Sequence, residues 1–439
     1  MLVPLLRRLP RPRLRLPEGD PFRDADIRLL FGAQGISSFG SQVSHIAFPL
    51  IAIDVIQASN GSIALLEGAF LLPFVLFSLP VGALLDRRAR RPVLIAADLF
   101  RMAALLLVPL AAATGNLTMP LLLGVLFAIG AGTLVYDVAH QSYLPAILRG
   151  PRLAEANSRL MAMEAATGVA GPSIAGIAVG RLGGPLAVVV DSLSYLVSAL
   201  LVRRVRHVEA PIDPAGDAGG RTARASLRTE IREGLSWVLG HRYLRGNALA
   251  ALLFNFFGGI ASGPVMIAYA RRELLLPAEL IGLILGAGVI GLVAGSASAA
   301  AISARFGMGR TLVAGGIVLT LAPLGIAILD ASMGPLLIAL LAVLAQIVAF
   351  FGAALFHTNQ VTYRQLITPK QLLGRMNASM KWVMLLGMPA GALLGALVAE
   401  HLGLRAALFA GALGTLIAPL PLLTSGIARV ERQPEHTEA

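Results

Sequence analysis

The stretch "GALLDRRARRPVL", residues 82–94, decides the fold of this chain. It crowds charged side chains into a few positions between two runs of mostly apolar residues. A helix needs about twenty such residues to cross the ~30 Å hydrocarbon core of a bilayer, and both runs are that long. The stretch is therefore predicted to be a tight turn between two membrane-spanning helices.

The same alternation of apolar runs and short polar turns continues through all 439 residues. Hydrophobic residues make up 56% of the chain and charged residues only 14%, whereas an ordinary soluble domain is about 25% charged. Each run must be helical, because the bilayer forces backbone groups to pair within a segment. We predict an all-α polytopic membrane protein with twelve spans, at 30–53, 63–84, 92–113, 119–140, 160–180, 185–204, 248–269, 280–304, 311–329, 335–358, 381–399 and 405–425.

The basic residues are distributed unevenly between the turns. The net charge of +12 alone would permit nucleic-acid binding. If both termini are cytoplasmic, however, only four of the 36 Lys and Arg residues fall in outer loops, namely Arg181, Arg271, Arg272 and Arg405. Cytoplasmic loops carry an excess of Lys and Arg. We therefore expect no nucleic-acid partner and a multi-pass protein of a bacterial plasma (inner) membrane, with both termini cytoplasmic and no signal peptide.

The two halves of the chain resemble each other. A shift of 220 positions places "LAEANS" (153–158) on "LGRMNA" (373–378), and "RLGGP" (181–185) on "HLGLR" (401–405). Such a repeat indicates two pseudo-symmetric six-helix bundles. The predicted organisation is a basic cytoplasmic tail (1–29), an N-terminal bundle (30–205), a cytoplasmic central loop (206–247), a C-terminal bundle (248–425) and a cytoplasmic C-terminal tail (426–439).

The quoted turn has the pattern G-x-x-x-D-R-x-x-R-R, carried by Gly82, Asp86, Arg87, Arg90 and Arg91. This pattern resembles the signature loop of the major facilitator superfamily, although an alanine stands where that family has a glycine. The likeness covers nearly the whole chain. It implies transport by alternating access, and we expect the turn to act in gating the cycle. Gly82 is expected to let another helix approach closely.

A second stretch, "GVAGPSIAGIAVG" (168–180), resembles the glycine–proline motif of antiporters in the superfamily. It is carried here by Gly168, Gly171, Pro172 and Gly176. Close packing of two helices by small residues would explain these glycines equally well. "DLFRMA" (98–103) and "VYDVAHQSYLPAIL" (135–148) resemble the exporter branch that contains enterobactin and macrolide efflux proteins.

Polar side chains inside spans are expected to have a structural or functional role, because a charge at mid-bilayer costs roughly 2.5–3.5 kcal/mol on insertion scales. A helix turns by 100° per residue, and at this spacing the polar side chains within each of several spans fall on one face of the helix. Such a face indicates the lining of an aqueous cavity. The family resemblance implies that spans one, four, seven and ten line the central cavity. The predicted substrate-cavity residues are Gln34, Ser38, Ser41, His45, Tyr136, His140, Asn255, Gln346, Phe350 and His357.

Acidic residues lie deep in spans only in the N-terminal half. Asp98 can pair with Arg101 three residues later. Asp137, Asp191 and Glu67 remain as candidates for proton coupling, in that order, and structural roles for Asp191 and Glu67 stay open. The sequence shows no phosphate-binding loop and no metal-ligand spacing, so we expect no enzyme activity, metal or cofactor, and a proton gradient as driving force.

Together these features predict a secondary transporter that exports amphipathic drug-like or siderophore-like molecules by proton antiport. Its expected partners are the substrate, protons and the lipid bilayer, and a monomer is expected. A proton-coupled importer of a small nutrient on the same fold is the first alternative. A membrane scaffold or sensor that transports nothing is a weaker one.

Overall fold

The computed structural model describes residues 20–85, 88–148, 150–207, 227–369 and 372–427. Within these ranges every regular element is helical, and twelve stretches are long and apolar enough to cross a membrane. The predicted all-α fold with twelve spans is thereby confirmed. The helices are α1 (Ala25–Leu50), α2 (Asn60–Leu85), α3 (Arg90–Ala113), α4 (Met119–Ile147), α5 (Pro151–Leu182), α6 (Gly184–Arg204), α7 (Leu227–Gly240), α8 (Arg242–Ile260), α9 (Gly263–Arg272), α10 (Ala278–Phe306), α11 (Met308–Leu319), α12 (Leu321–Ala327), α13 (Pro335–Leu366), α14 (Leu373–Leu402), α15 (Leu404–Ile417) and α16 (Leu420–Ser425).

Three spans consist of two helices each. The seventh is divided into α8 and α9 by Ala261 and Ser262, just before Pro264. The ninth divides into α11 and α12, and the twelfth into α15 and α16 next to Pro419. Glycine and proline disfavour a continuous helix at these points, because glycine costs conformational entropy and proline lacks a backbone donor. The first span ends differently, in a π-helical turn over Ile51–Val55.

The duplication is visible in the backbone. Gly183 joins α5 to α6 with φ +76°, and Gly403, 220 positions later, joins α14 to α15 with φ +91°. Both angles are in the region that favours glycine. Gly171 lies against α1 in one half, and Gly391 lies against α8 in the other. The predicted pair of related bundles is therefore confirmed, while the exact bounds of tails, bundles and loop stay predictions.

The spans have two ends, which we call proximal and distal. Asp26 at the start of α1 accepts backbone hydrogen bonds from Arg206 and His207 (3.0 and 2.8 Å), and Arg242 of α8 donates to the Thr424 carbonyl (2.8 Å). The described chain therefore starts and ends at one and the same end, the proximal one. The opposite, distal end carries residues 54–61, 268–280 and 400–405.

Two elements at the proximal end contact the membrane spans. Asp20, before α1, accepts 2.9 and 2.8 Å bonds from Arg159 of α5, and this guanidinium holds the pKa of the Asp20 carboxyl below its usual range. The central segment forms α7, which packs on α14. There Gly234 faces the Arg375 carbonyl, and Glu233 pairs with the Arg375 side chain. Part of the predicted central loop is therefore a helix that packs on a span.

Candidate functional site

A cavity of about 240 Å³ lies inside the N-terminal bundle. It is bounded by α1, α2, α4 and α6, and Pro264, beside the break in the seventh span, closes one side. Its lining combines polar, acidic and aromatic side chains. The lining residues are Ser41, Gln42, Ser44, His45, Phe48, Pro49, Leu66, Glu67, Phe70, Leu126, Ile129, Thr133, Asp191, Tyr195 and Pro264.

One wall of the cavity is a hydrogen-bonded cluster on α1 and α6. Ser44 donates to one oxygen of the Asp191 carboxyl. The Ser194 hydroxyl lies 3.1 Å from the other oxygen and makes a shorter bond, 2.7 Å, to the Asp191 backbone carbonyl. The Ser41 hydroxyl and the Tyr195 phenol lie 2.9 Å apart. Asp191 is only 1% exposed, so these hydroxyls supply the polar partners that a buried carboxyl requires.

Behind this wall lies a buried cation. Arg101 pairs with Asp98, as predicted, and Ser198 donates a 2.7 Å bond to the same carboxylate. The Arg101 guanidinium lies 4.4 Å from the Tyr136 ring centre and 4.1 Å from that of Tyr195. Two aromatic faces and a carboxylate thus stabilise a charge that would be costly inside a span.

Two glycines allow close contacts between helices around this wall. A Cβ at Gly40 of α1 would lie 2.2 Å from the Ser194 hydroxyl and 2.6 Å from an Asp191 oxygen. A Cβ at Gly132 of α4 would lie 2.6 Å from Arg101 Cγ. A larger residue at either position would displace these side chains. The two glycines therefore leave the room that the wall and the buried cation occupy.

Glu67 occupies the other side of the cavity, on α2. It is half-buried, and within the described ranges no hydrogen bond or ion pair joins its carboxylate to another group. Phe70, one turn further along, and Phe48 of α1 line the same space. Among the described residues, the cavity thus has one acid with hydrogen-bond partners and one without.

Four predicted site residues come together here: Ser41, His45, Glu67 and Asp191. Two others are not where the polar stripe placed them. Tyr136 and His140 are only 2% and 8% exposed, and their rings stack 5.8 Å apart. Neither belongs to the cavity lining in this structure, because the Arg101 guanidinium lies on the Tyr136 ring and that ring stacks on His140. Their place in a substrate cavity stays a prediction.

The C-terminal half contributes less open surface than predicted. Gln346 is 2% exposed and lies against Met266, so it is part of the packing between α13 and α9. Phe350 packs on Gly288 of α10. Asn255 is half-buried and bonds its own helix at Ala251. His357 is exposed. Gln34 and Ser38, in the proximal half of α1, are half-buried, and Gln34 donates a 3.3 Å bond to Ser38.

Several members of the cavity were not among the predicted site residues, including Ser44, Phe48 and Phe70. Ser44 lies off the polar stripe of the first span, because it faces Asp191 on α6. A single sequence gives no signal for that pairing, since it depends on which helices are neighbours. The two phenylalanines look like ordinary lipid-facing residues until α1 and α2 are placed side by side.

The bundles meet closely at the distal end. A Cβ at Gly176 of α5 would lie 2.5 Å from the Ala278 carbonyl oxygen and 3.0 Å from Gly282 Cα, both on α10. The antiporter-like motif thus forms a bundle-crossing contact, as its small residues suggested. Gly171 instead faces Gln42 of α1 within its own bundle, and Gly168 lies near Val289 of α10.

Polar contacts reinforce this distal closure. Arg271 donates to Asp54 over 3.1 Å, and Arg272 donates to the Asn60 side chain and the Ala58 carbonyl over 2.5 and 2.6 Å. These arginines are two of the four basic residues expected outside. On the opposite side of the interface, Glu400 of α14 accepts a 2.7 Å bond from the Gly61 amide.

Toward the proximal end, polar side chains of both bundles are exposed. Glu164 on α5, Lys381 on α14 and His357 on α13 are accessible although they lie within spans. Asp137 of α4 is half-buried and lies within Coulombic reach of Arg101, Lys381 and Glu164. Lipid would be a poor environment for such groups. The arrangement indicates a water-filled space that is closed distally and open proximally.

The quoted turn is described only in part. Asp86 and Arg87 lie outside the described residues, so their gating role stays a prediction. Arg91 donates to the carbonyls of Val202 and Arg203 at the proximal end of α6, and Arg90 begins α3. The close helix approach expected at Gly82 is not found among the described residues, because none of their atoms lies within 4 Å of a Cβ at that position. In this distally closed arrangement the proximal end of α2 is not pressed against a neighbour at that point.

The cavity face of α1 can be tested by cysteine labelling, since the chain has no native cysteine. Single cysteines at Ser38, Ser41 and His45 are expected to react readily with a water-soluble thiol reagent. Cysteines at Val43 and Ile46, which are each 1% exposed, are expected to react far more slowly. Equal labelling of both sets in membranes, at equal protein levels, would contradict the assigned face.

With this geometry established, comparison with known proteins gives a family. The sequence profile described as "Transmembrane secretion effector" matches residues 19–438. The chain is 28% identical over 253 residues to the uncharacterized MFS-type transporter YkuC of Bacillus subtilis, a match covering 56% of this chain and 57% of that protein. It is 28% identical over 222 residues to the multidrug efflux pump Tap of Mycobacterium tuberculosis, covering 49% and 52%. The chain thus matches little more than half the length of these relatives.

A solved structure agrees on the fold. A bacterial homologue of the iron transporter ferroportin, in its inward-facing state, superposes with a TM-score of 0.69. The alignment covers 91% of this chain and 98% of the homologue at 17% identity. At that identity the likeness concerns the arrangement of helices and not the cargo.

Proposed function

We propose that this chain, which belongs to the transmembrane secretion effector family within the major facilitator superfamily, exports amphipathic small molecules from the bacterial cytoplasm. The proximal end is cytoplasmic in this proposal, because the Lys and Arg residues concentrate there. The conformation with a closed distal end is then the one that loads cargo from inside the cell. The protein works as a monomer in the plasma membrane.

The observation that carries the proposal is the cavity below the distal closure. Its lining offers hydroxyls and carboxyls together with phenyl rings and aliphatic side chains. Such a mixture suits a molecule with one polar and one apolar part. Export follows when the distal contacts at Gly176 and Arg272 open and the proximal ends of the bundles close, so that the same cavity faces outward.

Transport itself can be tested without knowing the natural cargo. Proteoliposomes preloaded with each member of a panel of unlabelled amphipathic compounds, neutral and charged, are diluted into the labelled form. Counterflow of at least one compound, absent from protein-free liposomes, is expected. A scaffold or sensor would give none, and a nutrient importer would exchange only small polar solutes.

Proton coupling in this proposal is centred on Asp191. Asp137 was the first choice from sequence, but it lies outside the cavity lining, whereas Asp191 is part of it. A coupling carboxyl must gain and lose a proton as its surroundings change, which the Ser44 and Ser194 hydroxyls would tune by hydrogen bonding.

We expect Asp191→Asn to abolish pH-driven accumulation while sparing downhill exchange, because the amide keeps the hydrogen-bonding shape but cannot carry a proton. Asp137→Asn serves as the comparison and should retain most of the driven transport. Both activities are measured in the same vesicles, with and without a pH gradient. Full pH-driven transport by the Asp191 variant would assign the coupling elsewhere.

A further inference from the structure

We propose that the cavity binds the cationic group of an amphipathic organic cation, and that Glu67 selects for its charge. This inference rests on the proposed export function and names the class of its substrate. It concerns a residue for which the sequence left a structural and a functional role open.

The charge balance of the cavity is negative. Its lining includes two carboxylates, Glu67 and Asp191, and no lysine or arginine, with His45 as the one basic side chain. The nearest buried cation, Arg101, is already engaged by Asp98 and by two tyrosine rings. A ligand that enters therefore meets one carboxyl, that of Glu67, that has no charged or hydrogen-bonding partner among the described residues.

The two acids are not equivalent. Asp191 is 1% exposed and already has hydroxyl partners in Ser44 and Ser194, whereas Glu67 is half-buried. Glu67 has no partner within the described ranges. An acidic side chain that lies inside the membrane without a partner is energetically costly, and such a residue is a candidate ligand-binding group. Glu67 is thus the group available to a ligand cation.

The apolar part of the lining suits the body of such a ligand. The rings of Phe48, Phe70 and Tyr195 border the same space, and aromatic faces attract organic cations at short range. Leu126 and Ile129 of α4 add aliphatic surface. A volume of about 240 Å³ accommodates a substituted ammonium group with an attached ring, and the open side leaves room for a longer body.

The test uses two probes of one shape that differ in charge: tritiated benzyltrimethylammonium and its neutral isostere neopentylbenzene. The quaternary nitrogen cannot lose a proton, so a preference between them reports charge alone. Equilibrium dialysis is run on the full-length protein in nanodiscs, with empty nanodiscs subtracted. The wild type is expected to bind the cation about tenfold more tightly or better, a factor that corresponds to about 1.4 kcal/mol.

Glu67→Gln is expected to reduce this preference to about threefold or less, with binding of the neutral probe unchanged. Unchanged neutral binding shows that the variant is folded, and Glu67→Asp should keep part of the preference. Glu155→Gln is the matched control, because Glu155 lies at the proximal surface beside Arg159 and outside the cavity; it should behave as wild type.

The inference is overturned if the wild type binds both probes alike, if it binds neither, or if Glu67→Gln keeps the full preference. Dialysis requires no transport, so its outcome is separate from that of counterflow. Counterflow of neutral amphipathic compounds combined with no cation preference would remove this inference and leave the export proposal standing. An absence of counterflow for every compound would remove the export proposal itself.

Discussion

Gly176→Val is expected to reduce transport by about tenfold or more while leaving the amount of protein in the membrane near normal. A side chain at this position would meet the Ala278 carbonyl and Gly282 Cα across the bundle interface. Both are backbone atoms that cannot turn away, and overpacking of this kind costs roughly 1–3 kcal/mol, of which 1.4 kcal/mol is already a factor of ten. The distally closed state is then rarely populated.

The contact lies between bundles, so each bundle can still fold. Gly282→Val, from the opposite helix, should have the same effect, and a cysteine at Ser41 should become more reactive from the distal side in both variants. Gly124→Val is the matched control, because a Cβ there meets nothing within 4 Å. Wild-type transport by Gly176→Val would mean that the α5–α10 contact is not part of the cycle.

Arg101→Met is expected to destabilise the protein by roughly 3–5 kcal/mol, because it leaves the buried Asp98 carboxylate without its cation. It also removes the guanidinium that Tyr136 and Tyr195 enclose. Thermal unfolding in detergent, followed by loss of the monodisperse species, measures the change. The double variant Asp98→Leu with Arg101→Met should recover much of the loss, since no unpaired charge remains.

Arg181→Met provides the comparison, because Arg181 is exposed at the distal end of α5. A surface change of this kind is usually within about ±0.5 kcal/mol. If Arg101→Met unfolded at the temperature of the wild type and of this control, the buried pair would not be the structural centre of the N-terminal bundle.

Much of the fold was predictable because the bilayer restricts the possibilities. Apolar runs in a membrane must be helices, and the repeat that aligns 181–185 with 401–405 appears as two glycine turns at Gly183 and Gly403. The Asp98–Arg101 pair was predictable from its spacing within one helix. These are properties of one segment, or of one segment and its copy.

The site was only half predictable, because it depends on contacts between helices. The polar stripe on the first span includes Ser41 and His45, which line the cavity. Polarity alone cannot distinguish a side chain that faces water from one that faces a buried arginine, as Tyr136 does here. Likewise, the distribution of Lys and Arg among the loops identifies Arg271 and Arg272 as basic residues in an outer loop. Only the structure shows that they bridge the two bundles at the distal end.

The most direct test of export by alternating access is the direction of driven transport. Everted membrane vesicles containing the protein expose its cytoplasmic side, and an interior-acid pH gradient is imposed in the presence of a labelled amphipathic compound that passed the counterflow screen. Accumulation inside the vesicles, abolished by a protonophore and by Gly176→Val, is the predicted result. Accumulation only in right-side-out vesicles, or none in either despite counterflow, would contradict proton-driven export.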